Sequence, residues 1–209
     1  MTTTEALARL QSLGVATVET ADAAAALKLS TKAANKVLGR LATAELISRL
    51  RPGLWLLLKS SNPYSLVEAI TTPLPSYFSL QTALYLHGMI DQIPGVHYVV
   101  SLARTQRIRT SIGVYSVHHI APELFDGFKL RADGSKLATP EKALFDMAYL
   151  SGGRSRLFAH VPELELPTSF HASKLRRWTA KIGSPRKRSM VDKRLAAILQ
   201  RAARAESIE

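Results

Sequence analysis

The sequence predicts an α+β protein: an N-terminal helical unit closed by a hairpin, then a small mixed α/β region, then basic helices. Three observations carry this. Between Ser30 and Leu58 a helix-period apolar set (Ala34, Val37, Leu38, Leu41) gives way at once to two short apolar runs around Arg51-Pro52-Gly53, a turn in which Pro presets φ and Gly accepts positive φ. Between Tyr98 and Arg131, β-branched and aromatic runs alternate with turn signals. Beyond residue 168, helical stretches carry a large excess of Lys and Arg.

The elements follow in order. Thr4 to Leu13 is a first helix, with Leu7, Leu10 and Leu13 on one stripe and Gly14 as its stop. Val15 to Val18 is a short β-like piece. Thr20 caps a second, Ala-rich helix, Ala21 to Leu27. Ser30 caps a third, its side-chain oxygen free to accept an orphan N–H of the first turn. The polar face of this third helix carries Lys32, Asn35, Lys36 and Arg40. Strands at Leu46–Leu50 and Leu54–Leu58 complete the hairpin, with Trp55 in the second and Arg49 and Arg51 near the tip. A basic helix followed at once by such a hairpin is the winged helix-turn-helix order. It suits DNA: a helix fits the major groove, where Asn bonds adenine and Lys or Arg bond guanine, while a neighbouring hairpin brings arginines to phosphates or the minor groove. Gly39 costs about 1 kcal/mol against Ala inside a helix. It marks a close approach, to DNA or to another helix, or else an earlier helix end.

Lys59 to Pro63 reads as a linker, which divides the chain into residues 1–60 and 64–209. In the second part a helix is expected from Tyr64 to Thr72, an extended Ser76–Phe78, and a helix from Leu80 to His87 capped by Ser79. Strands follow at Tyr98–Leu102, Gly113–Ile120 and Phe128–Arg131, with a basic, polar segment at Arg104–Thr110 between the first two. Thr139-Pro140-Glu141 is a helix start: Thr caps, Pro takes the first position and Glu meets the positive end of the dipole. That helix runs to about Leu150 and stops at Gly152-Gly153. Helices at Lys174–Lys181 and about Met190–Ala205 are split by Gly183-Ser184-Pro185.

Composition sets the bounds. The 209 residues suit one or two domains, and 46% are hydrophobic, enough for a core. No apolar run approaches the roughly 18–20 residues that span a bilayer. MTTTEALARL lacks the marks of a secretory signal, so a cytoplasmic protein without a membrane role is expected. Zero Cys removes disulfides, thiolate metal sites and a cysteine nucleophile. The net charge of +12 is uneven. Residues 1–60 hold eight Lys or Arg against four Asp or Glu, 61–167 hold nine of each, and 168–209 hold eleven against three. The two ends therefore carry the field that attracts a polyanion.

Enzyme readings find little support. His118 and His119 are adjacent on a strand and point to opposite faces, so no metal site is expected from them with His97. There is no H-E-x-x-H, P-loop or G-x-S-x-G motif. Gly134-Ser135 is not followed by an Asp-x-Asp pair that holds Mg²⁺. No catalytic residue, metal or other cofactor is expected.

At residues 77–150 a resemblance enters. YFSLQTALYLHGM, the strand YVVSL, a basic segment, a Val- and His-rich strand, FDGF and LATPEKALFDMAYL together resemble the AbiEi family of antitoxins, which also opens with a winged helix whose last strand is similar to Arg51-Pro52-Gly53-Leu54-Trp55. The resemblance covers roughly residues 1–150. It implies the antitoxin of a toxin–antitoxin, phage-defence operon. Such a protein binds inverted repeats in its own promoter as a transcriptional repressor and counteracts a partner nucleotidyltransferase toxin of the AbiEii kind. The DNA-contacting positions it implies are Thr31, Lys32, Asn35, Lys36 and Arg40 on the helix and Arg49 and Arg51 on the wing. Two copies on an inverted repeat are implied, compatible with a monomer in solution. For Glu141, Lys142 and Asp146 it assigns no chemistry, and they read as helix capping and an exposed i,i+4 pair. The C-terminal cations Lys174, Arg176, Arg177, Lys181, Arg186, Lys187 and Arg188 are candidates for phosphate or partner contacts. Trp178 among them either stacks on a base or, more simply, packs on the domain. The competing reading is a basic RNA-binding or interaction protein that acts through these C-terminal helices without sequence-specific DNA binding.

Overall fold

A computed structural model describes residues 2–57, 63–110, 112–151 and 163–206. Of the expected linker only Pro63 is among them, and the Gly152-Gly153 stop lies outside them. The chain is mixed α+β with two sheets.

The N-terminal part runs α1 (Thr3–Gln11), β1 (Thr17–Glu19), α2 (Thr20–Leu27), α3 (Thr31–Thr43), β2 (Ser48–Arg51) and β3 (Leu54–Leu56). The strands form one antiparallel sheet in the order β1-β3-β2. The apolar stripe of α1 ends at Leu10, and Leu13 lies past the helix, exposed. Thr20 is not a cap. It is the first residue of α2, and the cap position falls to Glu19, whose side chain makes no capping bond. Thr20 Oγ1 instead donates to the Gly53 carbonyl (3.2 Å) and accepts from Trp55 Nε1 (2.9 Å), tying the start of α2 to the hairpin.

Successive residues of a strand face opposite ways, and β3 uses both. Trp55 and Leu57 join Leu10, Leu27, Leu38, Leu41 and Ile47 in a core under the three helices. Leu54 and Leu56, with Leu50 of β2, point the other way into a larger core shared with Leu66, Ile70, Phe78 and Tyr115. The small sheet is therefore covered by apolar side chains on both faces.

The rest of the chain runs α4 (Val67–Thr71), entered through a 3₁₀ turn at Pro63–Leu66, then β4 (Ser76–Phe78), α5 (Leu80–Leu86), β5 (His97–Ser101), β6 (Gln106–Thr110), β7 (Gly113–His119), β8 (Phe128–Leu130), β9 (Lys136–Ala138) and α6 (Pro140–Leu150). The second sheet has the order β6-β7-β5-β4-β9-β8. Its β5–β7 and β4–β9 pairs are parallel and the others antiparallel. Two strands escape the sequence reading. The first, β6, turns only Ile108 inward and otherwise carries polar side chains, while β9 spans just three residues. The C-terminus forms a 3₁₀ turn at Ala172–Leu175, then α7 (Arg176–Thr179) and α8 (Pro185–Glu206). The last helix starts five residues before the expected Met190. Ser184 Oγ accepts from the Lys187 N–H (3.3 Å), and Pro185 opens the first turn, where its missing N–H costs nothing.

Candidate nucleic-acid interface

Helix α3 is fixed by its ends and its inner face. Lys28 adopts a left-handed conformation (φ 55°) that closes α2, and the Leu29 N–H returns to the Ala24 carbonyl (2.9 Å). Ser30 then caps α3, its Oγ accepting from the Ala33 N–H (3.3 Å). Ala34, Val37, Leu38 and Leu41 are buried. Thr31, Lys32, Asn35, Lys36 and Arg40 are all exposed, on the opposite face. None of these cations forms an ion pair among the described residues, so their charge is available to an outside anion. Gly39 lies within the helix, which continues to Thr43, and a Cβ there would meet nothing within 4 Å. No helix among the described residues therefore approaches it closely, and the helix does not end there.

The two arginines of the hairpin differ. Both belong to β2 rather than to the turn. Arg49 is exposed and lies over the Trp55 ring, 5.5 Å from its centroid. Arg51 is half-buried and pairs with Glu19 at 3.7 Å. Its Nε is buried without a hydrogen-bond partner among the described residues. Arg49 is the one placed to reach outward, and Arg51 is held against the sheet.

Most of the C-terminal cations are engaged inside the chain. Lys174 donates to Glu141 (2.9 Å), whose carboxylate also accepts the His171 N–H (3.1 Å). Arg177 (3.2 Å), Lys181 (2.7 Å) and the indole N–H of Trp178 all donate to Asp126. Lys187 sits on the Tyr149 ring at 3.5 Å, and Arg188 donates through two nitrogens to the Ile182 carbonyl (3.2 and 2.7 Å). Arg176 and Arg186 are exposed and have no ion-pair partner among the described residues. Trp178 is buried against Phe145. Burial alone pushes the Glu141 and Asp126 carboxyls up, but hydrogen bonds from Lys174 to Glu141, and from Lys181 and Trp178 to Asp126, bring both below their ordinary values. The two carboxylates, Glu141 on α6 and Asp126 in the loop before β8, form a clasp that holds the C-terminal segment.

The pair expected on the surface of α6 is instead fully buried. Lys142 and Asp146 are both 0% exposed and 2.6 Å apart. Lys142 also donates to the Leu124 carbonyl (2.8 Å), and Asp146 accepts from Ser79 Oγ (2.7 Å) and the Tyr77 hydroxyl (3.0 Å). The reason lies in α6, which is buried on every side from Glu141 to Ala148 and so leaves no solvent face for the pair. Ser79 is drawn into this network and makes no capping bond to α5. Burial pulls the Lys142 amine down and the Asp146 carboxyl up, against their mutual attraction. Complete burial leaves no space for a substrate between these atoms, and every polar group has a partner within the chain. The i,i+4 spacing was readable, but its burial depends on tertiary neighbours that sequence spacing does not encode.

His118 is buried and His119 exposed, as adjacent strand residues require. Among the described residues no group of three or more His, Asp or Glu side chains is placed to hold a metal ion, and no helix is long and apolar enough to cross a membrane. No protein-family model matches the chain, and no curated protein matches it significantly.

Proposed function

We propose that the N-terminal helices and small sheet form a winged helix-turn-helix that reads double-stranded operator DNA, and that the chain is the repressor and antitoxin of a toxin–antitoxin operon. One observation carries the DNA reading. The outer face of α3 gathers Lys32, Asn35, Lys36 and Arg40, none of the cations paired with a carboxylate among the described residues, on a helix whose other face is locked into a core. A rigid helix entered through a short turn from another helix is the geometry that lays base-reading side chains in a major groove. The orphan N–H groups at the start of α3 suit a backbone phosphate, and the exposed Arg49 of the hairpin supplies the wing contact. Open space above Gly39 lets the nucleic acid come close.

The antitoxin half rests on the AbiEi-like strings at 77–150. The helix that bears ATPEKALFD organises the C-terminal part, because Glu141 catches Lys174 and the same helix buries Trp178. The partner implied is a nucleotidyltransferase toxin encoded beside this gene. Two experiments test the reading. Footprinting of the DNA upstream of the gene is expected to show two protected half-sites about one helical turn, or a whole number of turns, apart. Co-expression is expected to relieve growth arrest caused by the adjacent gene product. A uniform, unphased footprint counts against the repressor, and unrelieved arrest against the antitoxin.

A further inference from the structure

The middle of the chain is neutral in sum, but its charge is segregated. From Gln92 to Pro122 there is no Asp or Glu, while Arg104, Arg107 and Arg109 all fall there. This carboxylate-free stretch is the β5–β6–β7 part of the large sheet. Strand β6 is the sheet's edge, and Arg104, Arg107 and Arg109 are all exposed. None of the three forms an ion pair among the described residues, in contrast to Arg131, Lys136, Lys142, Arg177 and Lys181, which do.

The pleat sets the direction of these side chains. Ile108 is buried, and its cross-strand partner Tyr115 donates from its hydroxyl to the Pro63 carbonyl (2.8 Å). That face looks toward the side where the chain enters from the small sheet. Arg107 and Arg109 point to the opposite face, across from Ser116 and Val114, small neighbours that leave the guanidinium groups unobstructed. Their Cα atoms are about 7 Å apart at the usual rise of an antiparallel strand, so two long stems reach successive phosphates of one backbone. Arg104 precedes the strand beside Thr105, whose Oγ1 accepts the N–H of exposed His119 (3.0 Å). Arg107 also acts on the row behind it: burial raises the Tyr98 phenol, and Arg107 pulls it back down.

We propose that β6 is a second, sequence-independent binding ribbon for a phosphodiester backbone, built by Arg104, Arg107 and Arg109 and separate from α3. Charge selects the ligand: three unpaired cations in a row without a carboxylate suit a polyanion with regularly spaced charges. All three are Arg, whose planar fork matches a phosphate with two parallel N–H donors. Charged side chains also guard sheet edges against strand addition, but that task is met equally by Lys or Glu, and the test separates the two.

The test is fluorescence anisotropy over a salt series on the full-length chain. The probes are a mixed-sequence 20-nucleotide single strand and its duplex. The proteins are wild type, R107Q/R109Q and R107K/R109K, each checked for an unchanged circular dichroism spectrum. On at least one probe R107Q/R109Q is expected to lower the slope of log K against log salt by about 1.4 for a single strand or about 1.8 for a duplex, while R107K/R109K, which keeps both charges, is expected to keep the wild-type slope at a lower affinity. The probe affected identifies the strand form the ribbon takes. An unchanged slope for R107Q/R109Q on both probes overturns the proposal, even if affinity drops, because a phosphate contact cannot be lost without it. Sequence selectivity on operator DNA is read separately through α3, so failure of the ribbon and failure of the repressor reading give different results.

Discussion

Lys142 and Asp146 lie one turn apart on α6, 2.6 Å from each other and wholly out of water. A buried ion pair is a weak source of net stability, yet breaking it leaves one charge stranded, at about 3–5 kcal/mol. Asp146→Ala is therefore expected to cost that much in urea unfolding, with loss of the Tyr77 and Ser79 bonds included. Lys142→Met combined with Asp146→Leu is expected to recover much of the loss. A double variant as unstable as the single one would show that the pair itself contributes a large net stabilisation.

His118 makes stability depend on pH. Burial lowers its pKa from 6.5 to about 4. A group with a depressed folded pKa holds fewer protons folded than unfolded, so its contribution is complete above pH 6.5 and is lost as pH falls toward 4. Between pH 7 and 5 the wild type is expected to lose about 2 kcal/mol from this group. His118→Gln, measured by denaturant titration at both pH values, is expected to flatten that difference.

Asp126 and Glu141 act lower on the pH scale. Their folded values lie below the ordinary 3.8 and 4.5, so their stabilisation is full above those values and is lost as pH falls through the lower folded ones. Hydrogen exchange below about pH 4.5 is expected to open residues 172–206 before β5 and β7. Simultaneous opening of both regions would show that the clasp does not hold the C-terminus by itself.

The shared sheet makes the halves interdependent. Leu54 is almost fully buried in the larger core although it belongs to the N-terminal hairpin. Leu54→Ala is expected to cost about 2–5 kcal/mol and to lower one common unfolding transition. Two separate transitions in calorimetry, with only the first shifted, would mean that the halves unfold independently. For the same reason, removing residues 1–60 is a poor test of DNA binding, because it strips Leu50, Leu54 and Leu56 from the remaining core.

The sequence is legible where the physics is local. Ser30 caps α3, Ala34 to Leu41 face inward, and Thr139-Pro140 opens α6 with Thr139 Oγ1 accepting the Lys142 N–H (3.3 Å). Features that depend on distant partners were not legible. A cap's role for Thr20 fits its sequence neighbours, and nothing nearby reveals that Trp55 and Gly53 come within reach. No local signal around Asp126 shows that it gathers three donors from more than fifty residues away. Strand β6 leaves little trace in the sequence because an edge strand with one inward apolar residue shows little period-2 signal. Of the candidate site, the exposed face of α3 with Lys32, Asn35, Lys36 and Arg40 follows from helical spacing alone, whereas the inward tie of Arg51 and the internal use of Lys174, Arg177, Lys181, Lys187 and Arg188 need the tertiary fold.

The measurement that bears most directly on the central claim is a gel-shift titration at two salt concentrations, with the duplex upstream of the gene against a scrambled duplex of equal length. Wild type is expected to prefer its own upstream duplex, and Asn35→Ala to lose about 1–3 kcal/mol of that preference with an unchanged salt slope. Equal binding to both duplexes, or a preference that survives Asn35→Ala intact, would contradict the assignment of α3 as the reader.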